Sequence, residues 1–218
     1  MQRAILVRHG ESVLSARGLA SGRVDVRCPL SDRGAAQART LARELAAEEI
    51  ELCVTSELER TQETADIALA RRDVRRIVVP ELNDPLYGRY DGGPLDAYLA
   101  WALANDSAAE PPGGGEPRRA IVARYAAGFR KILERPERVV LVVTHSLPIA
   151  YVLMALSGRS GTSASARSSS RAERASSRPS SARSWPTAWS SESRRRSSGR
   201  ASRPSATSAS RGWPRASG

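Results

Sequence analysis

The stretch Ala4-Ile5-Leu6-Val7-Arg8-His9-Gly10-Glu11-Ser12 starts apolar and ends in a polar turn. A short apolar run closed by glycine predicts a buried strand that stops at the rim of a sheet. Open α/β sheets place their ligand sites at the carboxyl ends of such strands. His9 can act as nucleophile, acid or base, and the planar guanidinium of Arg8 suits phosphate or carboxylate. Considered alone, Arg-His-Gly fits a plain polar turn equally well.

A second stretch repeats this pattern and favours the functional interpretation. Val139 to Val143 is the most apolar run of the chain, and Thr144-His145-Ser146 follows it directly. Its composition predicts a central parallel strand. The chain has only two histidines, and both come at the end of an apolar strand. A core or surface histidine would have no reason to occupy that place twice.

Further strands and helices alternate between these two stretches and predict an α/β fold. Strands are predicted at Leu52–Val54 and at Ile77–Val79, the latter closed by Pro80. The first predicted helix runs from the N-cap Ser31 to about Ile50, and the second from a Ser56–Glu59 capping box through Ala70. The third runs from Pro94 at position N1 through Ala104. A fourth helix has the apolar face Ile121, Tyr125, Phe129, Ile132 and Leu133, and a fifth begins at Pro148.

Two polar positions outside the strands are candidates for the site. Arg60 lies in the first turn of a predicted helix, where a cation opposes the helix dipole unless an anion is bound there. The local sequence alone favours a solvated surface arginine with Thr64 as its i, i+4 neighbour. The loop Glu81 to Gly93 holds two acidic candidates, Asp84 and Asp91.

The charge of the chain is concentrated at one end. The formal net charge is +11, and the segment 159–218, with 13 Arg and 2 Glu, carries all of it. Residues 1–158 are balanced, so the overall charge does not predict a nucleic-acid-binding body. The segment 159–218 contains no aliphatic residue other than Ala, which predicts a disordered tail. We expect a reading frame lost near Ser157–Gly161 as its origin, and a body, 1–158, that lacks its C-terminal strand.

Targeting signals and metal motifs are not visible in the sequence. Cys28 and Cys53 have neither disulfide nor metal spacing, and Cys53 fits a small core residue. The apolar run after Arg3 is too short for a signal peptide, and no stretch has the length of a membrane span. The expectation is a cytoplasmic protein without membrane contact.

The candidate residues together predict chemistry on a phosphoryl group. Arg8, His9, Arg60 and His145, with an acid from the 81–91 loop, would place two arginines and two histidines around one point. One histidine can attack phosphorus while the other cations stabilise the equatorial oxygens. Because the cations are side chains, no metal or other cofactor is required.

The motifs resemble those of the histidine phosphatase superfamily, the phosphoglycerate-mutase-like proteins, over about 1–158. The family signature is matched by Arg8-His9-Gly10-Glu11-Ser12. The later motifs are similar to Thr55-Ser56-Glu57-Leu58-Glu59-Arg60-Thr61-Gln62-Glu63-Thr64-Ala65, Leu82-Asn83-Asp84-Pro85-Leu86-Tyr87-Gly88 and Val143-Thr144-His145-Ser146. The resemblance implies a three-layer sandwich with a mostly parallel central sheet flanked by helices.

The resemblance also implies a role for each matched residue. His9 would be the nucleophile that becomes phosphohistidine, and Asp84 the general acid and then the base for water. The phosphoryl oxygens would be bound by Arg8, Arg60, His145 and Ser15, and the substrate contacted by Ser21 and Gly22. The chain departs from the family in having Asp84 where many members carry Glu, and Ser15 where many carry Asn.

Three functions follow as hypotheses. The first is metal-independent hydrolysis of a small phosphorylated metabolite through phosphohistidine. The second is a mutase that passes the phosphoryl group between hydroxyls of phosphoglycerate, which must exclude water. The third is a catalytically dead body whose Arg-rich tail binds RNA or acidic partners non-specifically. The substrate and the oligomeric state are not predicted.

Overall fold

A computed structural model of the chain describes residues 1–156. Within them, four strands alternate with five α-helices. The elements are β1 (Arg3–Arg8), α1 (Asp32–Glu44), β2 (Leu52–Thr55), α2 (Glu59–Ala68), β3 (Arg75–Val78), α3 (Leu95–Ala104), α4 (Arg118–Leu133), β4 (Val139–Thr144) and α5 (Ser146–Leu156). The predicted tail, 159–218, and the frame change near Ser157–Gly161 lie outside the described residues, and the division at 158 stays a prediction.

The four strands form one parallel sheet in the order β1-β4-β2-β3. β4 is central, as its unbroken apolar composition predicts, and it pairs with β1 on one side and β2 on the other. The predicted strands are confirmed, although β3 begins two residues earlier and ends one residue earlier than expected. Parallel strands all end at the same edge, so the residues that follow β1, β2 and β4 lie near one another.

Alternate residues of the strands enter two separate apolar layers, as the twofold repeat of a strand requires. On one face, Cys53, Leu141 and Val143 pack with side chains of α1 and α2. On the other, Val54 and Val142 pack against Leu82 and α4. The sheet is therefore the middle of three layers, and the predicted α/β sandwich is confirmed.

The first helix begins as predicted but ends earlier. The Ser31 hydroxyl accepts a hydrogen bond from the Gly34 N–H, which makes Ser31 the N-cap. The prediction that α1 continues to about Ile50 is wrong, because α1 ends at Glu44. The Arg72 guanidinium donates to the carbonyls of Leu45, Ala46 and Glu48. These bonds satisfy acceptors at the helix end and stabilise the turn into β2.

The predicted capping box at the start of α2 is also wrong. The N-cap is Leu58, and it makes no side-chain capping bond. The Ser56 hydroxyl accepts from the Leu58 N–H but otherwise faces the interior. The Glu59 carboxylate accepts from the Cys28 N–H instead of the helix backbone. The residue types match a capping box, but both side chains bind partners that are distant in sequence.

The remaining helices agree with the sequence to within a few residues. Pro94 precedes α3 as its N-cap instead of occupying the first helical position. On α4, Ile121, Tyr125 and Ile132 are buried as predicted, whereas Leu133 is exposed. No helix among residues 1–156 has both the length and the apolar composition needed to span a bilayer.

Candidate active site

The two histidines meet because their strands are neighbours. The register pairs Arg8 of β1 with Thr144 of β4, so His9 and His145 follow at the same level. The His9 N–H donates to the Thr144 carbonyl at 2.9 Å, which extends the ladder by one bond. The two imidazole rings lie with their centroids 5.0 Å apart in an edge-to-face arrangement. The sheet thereby holds both rings at its carboxyl edge.

His9 has the protonation pattern of a nucleophile. Its Nδ1 is 2.6 Å from the Gly10 carbonyl oxygen, which can only accept, so Nδ1 carries the proton. Its Nε2 accepts from Arg60 Nε at 3.2 Å and therefore presents a lone pair. Burial, and then the nearby charges of His145 and Arg60, hold the pKa of His9 well below its ordinary value. A neutral imidazole is the form that can attack phosphorus.

Arg60 is the centre of the cluster. It is 2 % exposed, which contradicts the surface arginine that the local sequence favours. Its Nη2 donates to Asp84 Oδ2 at 2.7 Å and to the Ser21 carbonyl at 2.8 Å, while Nε reaches His9. The neighbour Thr64 donates to the Arg60 carbonyl oxygen and does not contact its guanidinium. One buried cation thus joins three segments of the chain.

Asp84 lies between Arg60 and His145. His145 Nδ1 is 3.2 Å from Asp84 Oδ2, a close contact without hydrogen-bond geometry. Burial alone would raise the pKa of Asp84, but His145 and Arg60 together lower it by more than burial raises it. The carboxyl is therefore ionised in this structure. Burial is the largest influence on His145 and lowers its pKa, while Asp84 opposes that effect.

The loop that carries Ser21 and Gly22 is fixed to the acid loop. The Gly22 N–H donates to Asp91 Oδ1, and the Tyr87 N–H donates to Asp91 Oδ2. A Cβ on Gly22 would lie 1.7 Å from the Pro85 carbonyl oxygen, so only glycine allows this approach. The two predicted substrate residues therefore border the cluster, with Ser21 in contact with Arg60.

Arg8 and Ser15 stand apart from the hydrogen-bonded cluster. The Arg8 side chain is exposed and makes no hydrogen bond or ion pair with any residue in 1–156, although its charge lowers the pKa of His145. The Ser15 hydroxyl accepts from the Ser12 N–H at 2.8 Å and donates to the Ser12 carbonyl. Ser15 thus closes its own turn, and the structure places it in no contact with His9.

Three polar residues at the site have roles that the sequence did not predict. Ser56 is fully buried and its Oγ is 2.9 Å from His145 Nε2. The Gly10 N–H donates to Thr64 Oγ1, which fastens the turn after His9 to α2. Asp91 fixes the two loops, although it was considered only as a second acid. The position of Ser56 at a strand end was a usable signal, because both histidines occupy that kind of position.

The cluster fits an anion better than a metal ion. His9, Asp84 and His145 each offer one ligand atom, and these atoms lie within 4.8 Å of one another. However, Arg60 already binds His9 and Asp84, and its charge would repel a cation at their centre. Cationic and N–H groups facing one buried point suit a dianionic phosphoryl group.

Comparison with known proteins agrees with this geometry. The sequence model of the histidine phosphatase superfamily (branch 1) matches residues 4–176. The adenosylcobalamin/α-ribazole phosphatase of Salmonella typhimurium is 34% identical over 127 residues, or 55% of this chain, and the chain spans 61% of that protein's length.

A mutase and a solved structure are similar as well. The 2,3-bisphosphoglycerate-dependent phosphoglycerate mutase of Methylobacterium sp. is 34% identical over 168 residues, covering 71% of this chain and 80% of the mutase. The crystal structure of the α-ribazole phosphatase from Shigella flexneri has a TM-score of 0.62 and 30% identity, covering 70% of this chain and 78% of that one. With its motifs on the predicted strand ends, the chain belongs to the histidine phosphatase superfamily.

Proposed function

We propose that this protein is a metal-independent phosphomonoesterase that acts through a phosphohistidine on His9. The observation that carries the proposal is the Arg60 guanidinium, which touches both His9 Nε2 and Asp84 Oδ2. A phosphoryl group placed there would meet a nucleophile, a fixed cation and an acid together. Family membership supports an enzyme of the phosphatase or mutase type.

The first half-reaction transfers the phosphoryl group to the protein. The His9 Nε2 lone pair attacks phosphorus as the bond to the ester oxygen breaks. The Nδ1 proton stays on the ring and its bond to the Gly10 carbonyl stabilises the positive charge that develops. Arg60, Arg8 and a protonated His145 would stabilise the equatorial oxygens, since electrostatic stabilisation dominates phosphoryl transfer.

Asp84 handles the proton in both half-reactions. Protonated Asp84 gives its proton to the departing ester oxygen, and the carboxylate then takes one from the water that attacks phosphohistidine. In the structure Asp84 is ionised and bound to Arg60. We infer that the substrate dianion draws Arg60 to itself and raises the pKa of Asp84, since a nearby negative charge favours the neutral carboxyl.

The test uses 4-nitrophenyl phosphate in the presence of EDTA. We expect the wild type to hydrolyse it and His9→Ala to lose at least a thousandfold in kcat/KM. Quenched wild-type protein should carry one acid-labile phosphate, which His9→Ala should lack. Equal rates for the two proteins, or a strict need for metal, would refute the proposal.

The names of the relatives suggest the first natural esters to test. A small phosphorylated metabolite is the proposed substrate class, and α-ribazole 5′-phosphate is its first member to assay, because phosphatases named for it are similar to this chain. Hydrolysis at a kcat/KM no higher than that of the aryl ester would exclude it as the preferred substrate.

A phosphoglycerate mutase is the second candidate, favoured by the similarity to the Methylobacterium mutase. A mutase must return the phosphoryl group to an alcohol before water reaches it. Incubating the protein with 3-phosphoglycerate and following it by ³¹P NMR separates the two. Isomerisation faster than phosphate release would make mutase the main activity.

A further inference from the structure

Ser56 is a buried hydroxyl placed directly behind His145. It follows β2, whose carboxyl end adjoins that of β4, and it is fully buried. Its Oγ lies 2.9 Å from His145 Nε2 and 2.9 Å from Thr61 Oγ1, and it accepts from the Leu58 N–H at 3.2 Å. Asp84 faces Nδ1 on the opposite side of the same ring. Both ring nitrogens of His145 therefore have a polar neighbour.

The hydrogen bonds that link Thr61, Ser56 and His145 can be arranged in two ways. Thr61 has carbonyl acceptors of its own, Leu58 O at 2.8 Å and Ser56 O at 3.2 Å, so its oxygen is free to accept. The single hydrogen of the Ser56 hydroxyl can consequently point to Thr61 or to His145. The Leu58 N–H occupies only one of the two lone pairs of Ser56 Oγ.

Each arrangement fits one charge state of His145. When the ring is neutral with its proton on Nδ1, toward Asp84, the Ser56 hydroxyl donates to Nε2. When the ring is cationic, Nε2–H donates to Ser56 Oγ and the hydroxyl hydrogen turns to Thr61. The contact between Ser56 Oγ and Nε2 is a hydrogen bond in either state. Ala, Val or a backbone carbonyl in this place could satisfy at most one state.

We propose that Ser56 is a positioning residue that fixes the His145 ring and lets it exchange a proton without losing a hydrogen bond. The inference deepens the proposed function and rests on it, because a phosphoryl dianion is best bound by His145 in its cationic form. The charged groups that act on the ring are Asp84, which favours the cation, and Arg60 and Arg8, which oppose it, and the neutral His9 ring packs against it.

The direction of the effect follows from the two states. Removing the hydroxyl costs the cation a charged hydrogen bond and the neutral ring an uncharged one, and charged hydrogen bonds are the stronger. Ser56→Ala should therefore lower the pKa of His145. It should also lower kcat/KM for 4-nitrophenyl phosphate about ten- to a hundredfold at neutral pH.

The experiment is an NMR titration of the histidine rings. With two histidines in the chain, comparison with His9→Ala assigns both signals. We expect Ser56→Ala to shift the His145 midpoint downward, and to shift the alkaline limb of the kcat/KM profile to lower pH with it, because activity needs the cationic ring. Ser56→Thr, which keeps the hydroxyl, should restore both, and Thr40→Ala, which removes a hydroxyl from the surface of α1, should change neither.

The outcomes separate this inference from the proposed function. A His145 midpoint in Ser56→Ala equal to the wild type, with kcat/KM within twofold, would overturn the inference. A shifted midpoint in a protein that hydrolyses no phosphate ester would support the role of Ser56 and contradict the phosphatase proposal. Ser56→Cys, of similar volume but a weak acceptor, gives the same comparison if Ser56→Ala fails to fold.

Discussion

The Arg60 side chain makes four hydrogen bonds within the described cluster. Its guanidinium joins His9, Asp84 and Ser21 with three nitrogens held in one plane. Lysine could keep the charge at this position but not the planar set of donors. The planar arrangement of the guanidinium nitrogens, as well as their charge, therefore positions His9 relative to Asp84.

The first prediction concerns Arg60→Lys. We expect kcat/KM for 4-nitrophenyl phosphate to fall at least a hundredfold, since one ammonium group cannot bind His9 and Asp84 together. The measurement is steady-state hydrolysis beside Arg39→Ala, an exposed arginine of α1 that should behave as the wild type. A loss of less than tenfold in Arg60→Lys would mean that charge alone suffices.

A second prediction concerns the proton on Asp84. Its pKa is held low by His145 and Arg60, so a dianion that engages Arg60 should make Asp84 take up a proton. We expect Asp84 to take up a proton when inorganic phosphate binds between pH 6 and 7, which offsets the proton that phosphate releases when it binds as the dianion. Calorimetry in buffers of different ionisation enthalpy measures it, and Asp84→Asn should lose the uptake.

The sequence predicted the two histidines and Asp84 of the candidate site, but local patterns misjudged the buried residues Arg60 and Ser56. His9 and His145 were predicted because each follows an apolar run, which indicates a strand and where it ends. Asp84 was predicted because it is an acidic residue in the loop between Glu81 and Gly93. Arg60 and Ser56 depend on partners 24 to 89 positions away, and local rules therefore assigned Arg60 to solvent and Ser56 to a cap. A tertiary contact overrode the local preference in both cases.

At the scale of elements, the backbone at the start of α1 is in close contact with the turn that carries His9. A Cβ on Gly34 would lie 2.0 Å from the Glu11 carbonyl oxygen, and one on Gly10 would lie 2.5 Å from the Gly34 carbonyl oxygen. Two glycines thus let a helix backbone touch a loop backbone. The position of His9 depends on this contact as well as on β1.

The third prediction is that Gly34→Ala disturbs both stability and catalysis. The methyl group must push the turn at Gly10 and Glu11 away from α1, at a cost of about 1–3 kcal/mol in the free energy of unfolding. We expect kcat to fall more than KM rises, because the nucleophile moves. Urea unfolding and steady-state kinetics measure the two effects, and unchanged values for both would show that the contact can relax. Arg39→Ala on the same helix is the control.

Element boundaries were predicted less well than element types. The type follows from the period of the apolar residues, which β4 and α4 display clearly. The end of α1 is set by the Arg72 side chain, which arrives from beyond α2. No window of local sequence contains that information.

At the scale of the whole molecule, the buried histidines link folding to pH. The pKa of His9 and the pKa of His145 are both lowered by burial in the folded protein. The unfolded chain therefore binds these two protons more readily than the folded one. Their stabilising contribution is present above pH about 6.5 and is lost as the pH falls toward the folded pKa values.

The fourth prediction is a loss of stability in mild acid. We expect the free energy of unfolding, measured with urea, to fall from pH 7 to pH 5 with a slope of up to about 1.4 kcal/mol per pH unit for each histidine. Asp84 adds a further loss at lower pH, since its pKa is also lowered on folding. A variant with His9→Asn and His145→Asn should have a flatter profile, and an equally steep profile would assign the effect to other groups.

The pairing of β1 with β4 also has a consequence for biosynthesis. His9 is made near the start of the chain, but the strand that aligns it with His145 is completed only at Thr144. A nascent chain that ends anywhere before this point lacks the central strand of the sheet, so β1 and β2 have no common neighbour. Closing so long a loop is slow compared with local helix formation. A ribosome-bound intermediate would therefore present an exposed, unpaired β1, and His9 and His145 would come together only after nearly all of the described chain had been synthesised.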